Sequence, residues 1–189
     1  MTTNKIWLLS LTLGAIWLCV RIAAGYINSF NYWESQPIGV LSNLLLLLIG
    51  IFGAIYFTYN QGPQIRRYAD DFKLAAKTTL VYTVIVSISM FAYYTFSHEM
   101  EKEKERNKQE LSDFLNNEAN IERIKLENSA LVNKTREEIY QEKIGTINEK
   151  TSLRNVLIFG GFAIFLAGIV YSIVVPWIFR TLLLKESNE

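Results

Sequence analysis

One cysteine, Cys19, and one histidine, His98, are all that the 189 residues hold of those two types. A single cysteine rules out an intrachain disulfide and a cysteine zinc cage. One histidine is too few for a histidine metal cluster, and it leaves no Ser/His/Asp set to assemble. A glycine-rich phosphate loop is missing too, since Gly160-Gly161 falls inside an apolar run. Charge of one sign is scarce: 19 Lys and Arg against 18 Asp and Glu give a net charge of +1. Nucleic-acid binding therefore has no electrostatic support. The chain also lacks two similar, interrupted hydrophobic halves of the kind that mark a transporter repeat. From these absences we expect no cofactor, no bound metal and no enzymatic activity.

What the chain has is segregation. Half of it is hydrophobic and 20% is charged, but most charges fall between His98 and Arg154 and most apolar residues fall outside that stretch. The apolar residues come in blocks of about 20, the length a helix needs to cross a hydrocarbon core of ~30 Å. Four such spans are predicted, at 6–27, 38–59, 78–97 and 156–179. Each must be helical, because backbone N–H and C=O groups in lipid have to bond within their own segment. Aromatic residues such as Trp7, Tyr26, Tyr59 and Trp177 mark the ends, where amphipathic rings favour the headgroup level. The expected fold is all-α: an integral membrane four-helix bundle with a charged extramembrane helical hairpin, residues 98–155, between spans three and four. A cleavable leader is the rival reading of the first span, with Lys5 before an apolar region and Ala23-Ala24-Gly25 as the small-residue site.

Cytoplasmic connections carry an excess of Lys and Arg. The first connection, 28–37, has Glu34 and no basic residue, whereas the second, 60–77, has Arg66, Arg67, Lys73 and Lys77. Lys5, Arg180 and Lys185 add to the termini. The expected orientation has both termini in the cytoplasm and 98–155 in the periplasm of a bacterial inner membrane. The 11 basic residues of that segment are offset by 13 acidic ones.

Within the charged segment, acid and base recur three apart: Glu99/Lys102, Glu101/Lys104, Glu103/Arg106 and Glu105/Lys108. Each such pair supports a helix by about 0.2–0.5 kcal/mol. With no Gly or Pro between the third span and this stretch, the pattern predicts one helix that leaves the membrane and runs on into water for about 30 residues, or ~45 Å at 1.5 Å per residue. A break is predicted in 128–134. Thr135 followed by Glu138 fits a capping box, and a second helix would return through Ile139, Tyr140, Ile144 and Ile147. The hairpin is the expected handle for a protein partner or a homo-oligomer. A solvated face without a partner, or a disordered loop, are the competing readings.

Arg21 is the one charge inside the first span, and a mid-span charge costs about 2.5–3.5 kcal/mol on insertion scales. It either snorkels to the nearer interface or marks a polar site. Asn43, Ser87, Ser89, Tyr93 and Tyr94 lie at similar depth, and the site they suggest would contact a lipid headgroup or a partner carboxylate. Asp70-Asp71 is the one paired carboxylate outside the charged segment, expected to pair with Arg66, Arg67 and Lys73. In the fourth span, Gly160, Ala163, Ala167, Gly168 and Ser172 form a small-residue face, and the third has Ala75, Thr79, Thr83 and Ser87 at i,i+4. Such faces let helices approach closely in lipid.

The stretch YADDFKLAAKTTLVYTVIVSISMFAYYTF, together with four spans and a charged insertion before the last, resembles a family of small bacterial membrane proteins, domain-of-unknown-function family 4199. That resemblance implies the same layout and no established activity. Two function classes follow: a non-enzymatic accessory, scaffold or assembly subunit that uses 98–155, or a small transporter or lipid-binding protein with a polar site around Arg21. Membrane lipids are expected partners in both.

Overall fold

The computed structural model describes residues 3–27, 32–60, 67–150 and 152–183. They form helices α1 (Thr3–Ile27), α2 (Tyr32–Tyr59), α3 (Tyr68–Ser97), α4 (Glu99–Leu115), α5 (Glu118–Glu127), α6 (Arg136–Lys150) and α7 (Leu153–Ile178), and no strand occurs among the described residues. Among the same residues, α1, α2, α3 and α7 are long and apolar enough to cross a membrane. The chain is thus an all-α bundle with the features of an integral membrane protein. Glu34 and Arg66, used above to read the connections, have side chains that lie outside the described residues.

The four long helices alternate in direction, and α3 is their hub, packed along α1, α2 and α7. The core is made of one face of each helix: Leu13 and Trp17 from α1, Leu47 and Ile51 from α2, Tyr82 and Val86 from α3, Ile164 from α7. The opposite faces stay apolar and exposed, as with Leu41, Leu45, Ile88 and Phe162. A helix that is hydrophobic all round is what a lipid solvent requires.

Small residues set the α3–α7 contact. A Cβ on Gly168 would lie 2.1 Å from Thr79 Cγ2, and one on Gly160 would lie 2.7 Å from Met90 Cε. Thr79 and Ser172 share a hydroxyl–hydroxyl hydrogen bond of 3.2 Å, and Ser172 Oγ donates to the Gly168 carbonyl at 2.7 Å. Ser87 lies beneath Gly161, whose Cβ would come 3.1 Å from its hydroxyl. Ala167 is half-buried and Ala163 is exposed. The small faces of the third and fourth spans therefore meet through Gly160, Gly168 and Ser172, whereas Ala163, expected on the same packing face, stands exposed.

The single helix predicted across His98 does not form. α3 ends at Ser97, His98 takes a left-handed conformation with φ 51°, and α4 begins at Glu99. Histidine is among the few non-glycine residues that visit this region readily. The outgoing arm is also shorter than the charge pattern predicts. α4 stops at Leu115, so its 17 residues span about 25 Å. Two asparagines end it: Asn117 caps α5 by accepting from the Ala119 N–H at 3.0 Å, and the Asn120 amide donates to the Phe114 carbonyl at 2.9 Å. The break expected at 128–134 is present as a 3₁₀ turn, Ser129–Leu131, followed by loop. α6 opens with the expected capping box. The Glu138 carboxylate accepts from the Thr135 N–H at 2.7 Å, and the Glu138 N–H donates to Thr135 Oγ1 at 3.3 Å. α6 then packs back along α4. The hairpin carries a second, separate core of Leu115, Leu131 and Ile139, ringed by Leu111, Ile121, Ile124 and Tyr140.

A candidate functional site at the root of the hairpin

The C-terminal end of α1, the start of α2, the end of α3 and the first residue of α4 converge on one point. Arg21 projects from α1 and is fully buried, 0% exposed. Its Nη2 donates to Glu99 Oε2 at 2.8 Å, and Glu99 is also 0% exposed. The other Glu99 oxygen accepts from the Ser35 hydroxyl of α2. Gln36 Oε1 accepts from Arg21 Nη2 at 3.3 Å and from the Tyr94 hydroxyl at 2.7 Å. Two tyrosine rings cover the guanidinium, with centroids 4.8 Å (Tyr93) and 5.7 Å (Tyr94) from Cζ. Desolvated cation–π contacts of this kind are worth about 2 kcal/mol.

Of the two readings of Arg21, snorkelling does not hold: its charge turns inward onto a carboxylate. The break at His98 makes this possible. The left-handed step turns the chain so that Glu99 points back into the bundle. Met100, the next residue, is buried with it. Gly39 completes the fit, because a Cβ there would lie 3.0 Å from Arg21 Cδ and 3.2 Å from its Nε. The Gly39 carbonyl accepts from Trp17 Nε1 at 2.9 Å, and Trp17 meets Tyr93 edge to face.

Of the residues predicted to share this depth, the structure gathers Tyr93 and Tyr94 around Arg21. Asn43 instead accepts from Tyr82 Oη at 3.0 Å. Ser87 faces α7, and Ser89 Oγ donates to the Ile85 carbonyl at 3.0 Å. Glu99, Ser35 and Gln36 were not legible as site residues. The one available signal was that a buried arginine needs a carboxylate, and the first acid after the third span is Glu99.

A second cluster closes the opposite end. Asp71 near the start of α3 is 0% exposed and accepts from Arg180 Nε at 2.8 Å and from the Tyr59 hydroxyl at 2.9 Å. Arg180 sits on a π turn, Phe179–Leu183, that follows Pro176. The expected pairing of Asp70-Asp71 with Arg67 and Lys73 is thus corrected. Asp71 turns inward to Arg180, and Asp70 accepts from the Arg67 backbone N–H at 3.1 Å. Lys77 donates to Thr3 Oγ1 at 2.8 Å, tying α3 to the start of α1.

On the hairpin, two of the expected i,i+3 pairs are present, Glu103–Arg106 at 2.5 Å and Glu105–Lys108 at 2.7 Å. Glu101 pairs with His98 Nδ1 at 2.9 Å. Lys108 holds the Glu105 carboxyl below its ordinary pKa, first by hydrogen bonding and then by its charge. The Thr135 backbone and hydroxyl do the same for Glu138. Among the described residues, no three His, Cys, Asp or Glu side chains come together as a metal cluster would.

Chemically, the Arg21 cluster is a joint. It carries opposite charges already matched, in a water-poor place, on four segments that would otherwise be free to splay. Comparison with protein-family models, curated proteins and solved structures finds no match to the chain.

Proposed function

We propose that this chain is a non-enzymatic membrane accessory or scaffold subunit that holds the 98–155 hairpin in a fixed attitude for a protein partner. The observation that carries this reading is the buried Arg21–Glu99 pair. A disposable loop would not need its first residue anchored to the bundle by a fully desolvated charge. The hairpin's own small core supports the same reading, as do large apolar side chains left exposed on it: Leu126 at 88%, with Val132 and Phe114.

In the same reading the termini and the 60–77 connection face the cytoplasm of a bacterial inner membrane, and the hairpin lies in the periplasm. The support is the basic second connection against the acidic first one. The shared layout makes membership of family 4199 part of the proposal. A lipid headgroup phosphate at Arg21 has less support, because Glu99 already matches that charge.

Purification of the full chain in mild detergent, followed by mass spectrometry, tests the reading. A stoichiometric protein partner, or a homo-oligomer, that is lost from the Leu126→Glu/Val132→Glu variant is the expected result. A monomer with no partner in native membranes would overturn it. Maleimide labelling of residue 125, replaced by cysteine in a Cys19→Ser background, reads the orientation. Labelling from the periplasm is expected, and labelling only after the inner membrane is breached contradicts it.

A further inference from the structure

A cleft of about 300 Å³ opens between α2 and α7, at the level of the hairpin root but outside the ion pair. Its size falls at the low end of the range for small-molecule sites, roughly 300–1,000 Å³. Val40 and Ala163 stand exposed at its mouth, on faces that are otherwise apolar. Trp17, Leu44, Met90 and Ile164 line its apolar part. The opening therefore faces hydrocarbon rather than water.

Two side-chain amides line the same cleft, Gln36 and Asn43, seven residues apart on α2. The Gln36 orientation is fixed by what its oxygen does. Arg21 Nη2 can only donate, so the Gln36 atom it meets must be Oε1, which also accepts from Tyr94. Asn43 Oδ1 accepts from Tyr82 Oη. Each amide thus turns its oxygen inward, and its –NH₂ makes no hydrogen bond among the described residues. Asn43 is only 5% exposed. Neither nitrogen is among the fully buried unpartnered atoms, so each –NH₂ opens onto the cleft, where hydrocarbon offers it no acceptor. Another lipid-facing cleft, lined by Leu48, Ile49, Phe52, Val175 and Ile178, has no such group.

We infer that the α2–α7 cleft is a binding site for one membrane phospholipid, with an acyl chain in the apolar part and the ester carbonyl oxygens accepting from the Gln36 and Asn43 amides. The match is one of chemistry. The cleft offers donors without net charge, and it opens sideways to hydrocarbon. A glycerolipid has an apolar chain joined to neutral acceptors, whereas water or a free anion would have to cross lipid to enter. The site is independent of the hairpin's proposed role.

Native mass spectrometry of the full chain tests this. The protein is reconstituted into vesicles of phosphatidylethanolamine and phosphatidylglycerol, extracted in mild detergent and washed. Wild type should keep one phospholipid per chain. Ala163→Phe, which fills the mouth, and Asn43→Leu, which removes one donor pair, should each lower the bound fraction at least fivefold. Ile49→Phe, in the all-apolar cleft, should leave it unchanged. Val40 and Ala163 are exposed, so Val40→Trp gives a second way to block the mouth without disturbing the core. Lipid kept at the wild-type level in both mouth variants would overturn the inference. So would a wild-type chain that carries no lipid, or a second copy of the chain released by the mouth variants in place of lipid.

Discussion

The two ends of the bundle solve the same problem with unequal commitment. Each holds an arginine against a carboxylate with a tyrosine hydroxyl near by. At the hairpin end both partners are fully buried and lie on α1 and α4, 78 residues apart in the chain. At the other end Asp71 is buried but Arg180 is 26% exposed, on the last turn before the C-terminal tail. A charge at a membrane boundary can reach water by snorkelling, and Arg180 retains that option. Arg21 has given it up. The difference teaches where the fold needs rigidity: at the point where a water-soluble arm meets the bundle.

The comparison can be broken most strongly at Arg21. Arg21→Ala or Glu99→Ala leaves one buried charge unmatched and should cost about 3–5 kcal/mol. Removing both charges with Arg21→Met/Glu99→Met should cost less than either single change, since no orphan remains. Thermal unfolding in detergent reads both outcomes. A double variant less stable than each single one would show that the pair stabilises in its own right.

A smaller loss is expected from Gly168→Leu. The new side chain would meet Thr79 where even a Cβ lies at 2.1 Å, and overpacking of this kind costs about 1–3 kcal/mol. Separation of α3 from α7 should follow, seen as a lower melting temperature. Smaller still is Asp71→Asn at the less buried end, about 1 kcal/mol, because Arg180 remains partly hydrated. If Asp71→Asn proved as costly as Glu99→Ala, the contrast between the ends would disappear.

Much of this architecture was written plainly in the chain. Runs of apolar residues with no water-facing stripe leave no choice but spanning helices, and the Thr135/Glu138 cap declares the start of α6. The small faces on α3 and α7 were legible for the same reason: only close helix approach uses them. The root of the hairpin was not. Glu99 sits in an alternating charge pattern that reads equally well as a solvated helix, and nothing local in Ser97-His98-Glu99 announces a left-handed step. The step is stabilised by a contact between residues 21 and 99, which local propensity cannot report. Asp71 was misread for the same reason, since its partner lies 109 residues away. Asn116-Asn117 is different. Asparagine's tendency to cap and turn is a local signal there for ending α4 early.

The mildest test lies at the tip. The Glu138 carboxyl is held below its usual pKa by the Thr135 N–H and hydroxyl. A lowered folded pKa means that the cap's contribution is full above the ordinary glutamate range. It fades as pH falls through the lowered value. Hydrogen exchange at the Glu137–Ile139 amides should therefore quicken, relative to the rest of α6, only at acid pH. In Glu138→Gln that pH dependence should vanish.

The buried Arg21–Glu99 pair should fix the attitude of the hairpin on the bundle. Distances between spin labels at Ile22→Cys and Leu126→Cys, in a Cys19→Ser background, measure it directly by pulsed electron resonance. A single narrow distribution is predicted in the otherwise wild-type chain, broadening severalfold when Arg21→Ala is added. A broad distribution from the start, or a narrow one that survives the loss of Arg21, would contradict the claim.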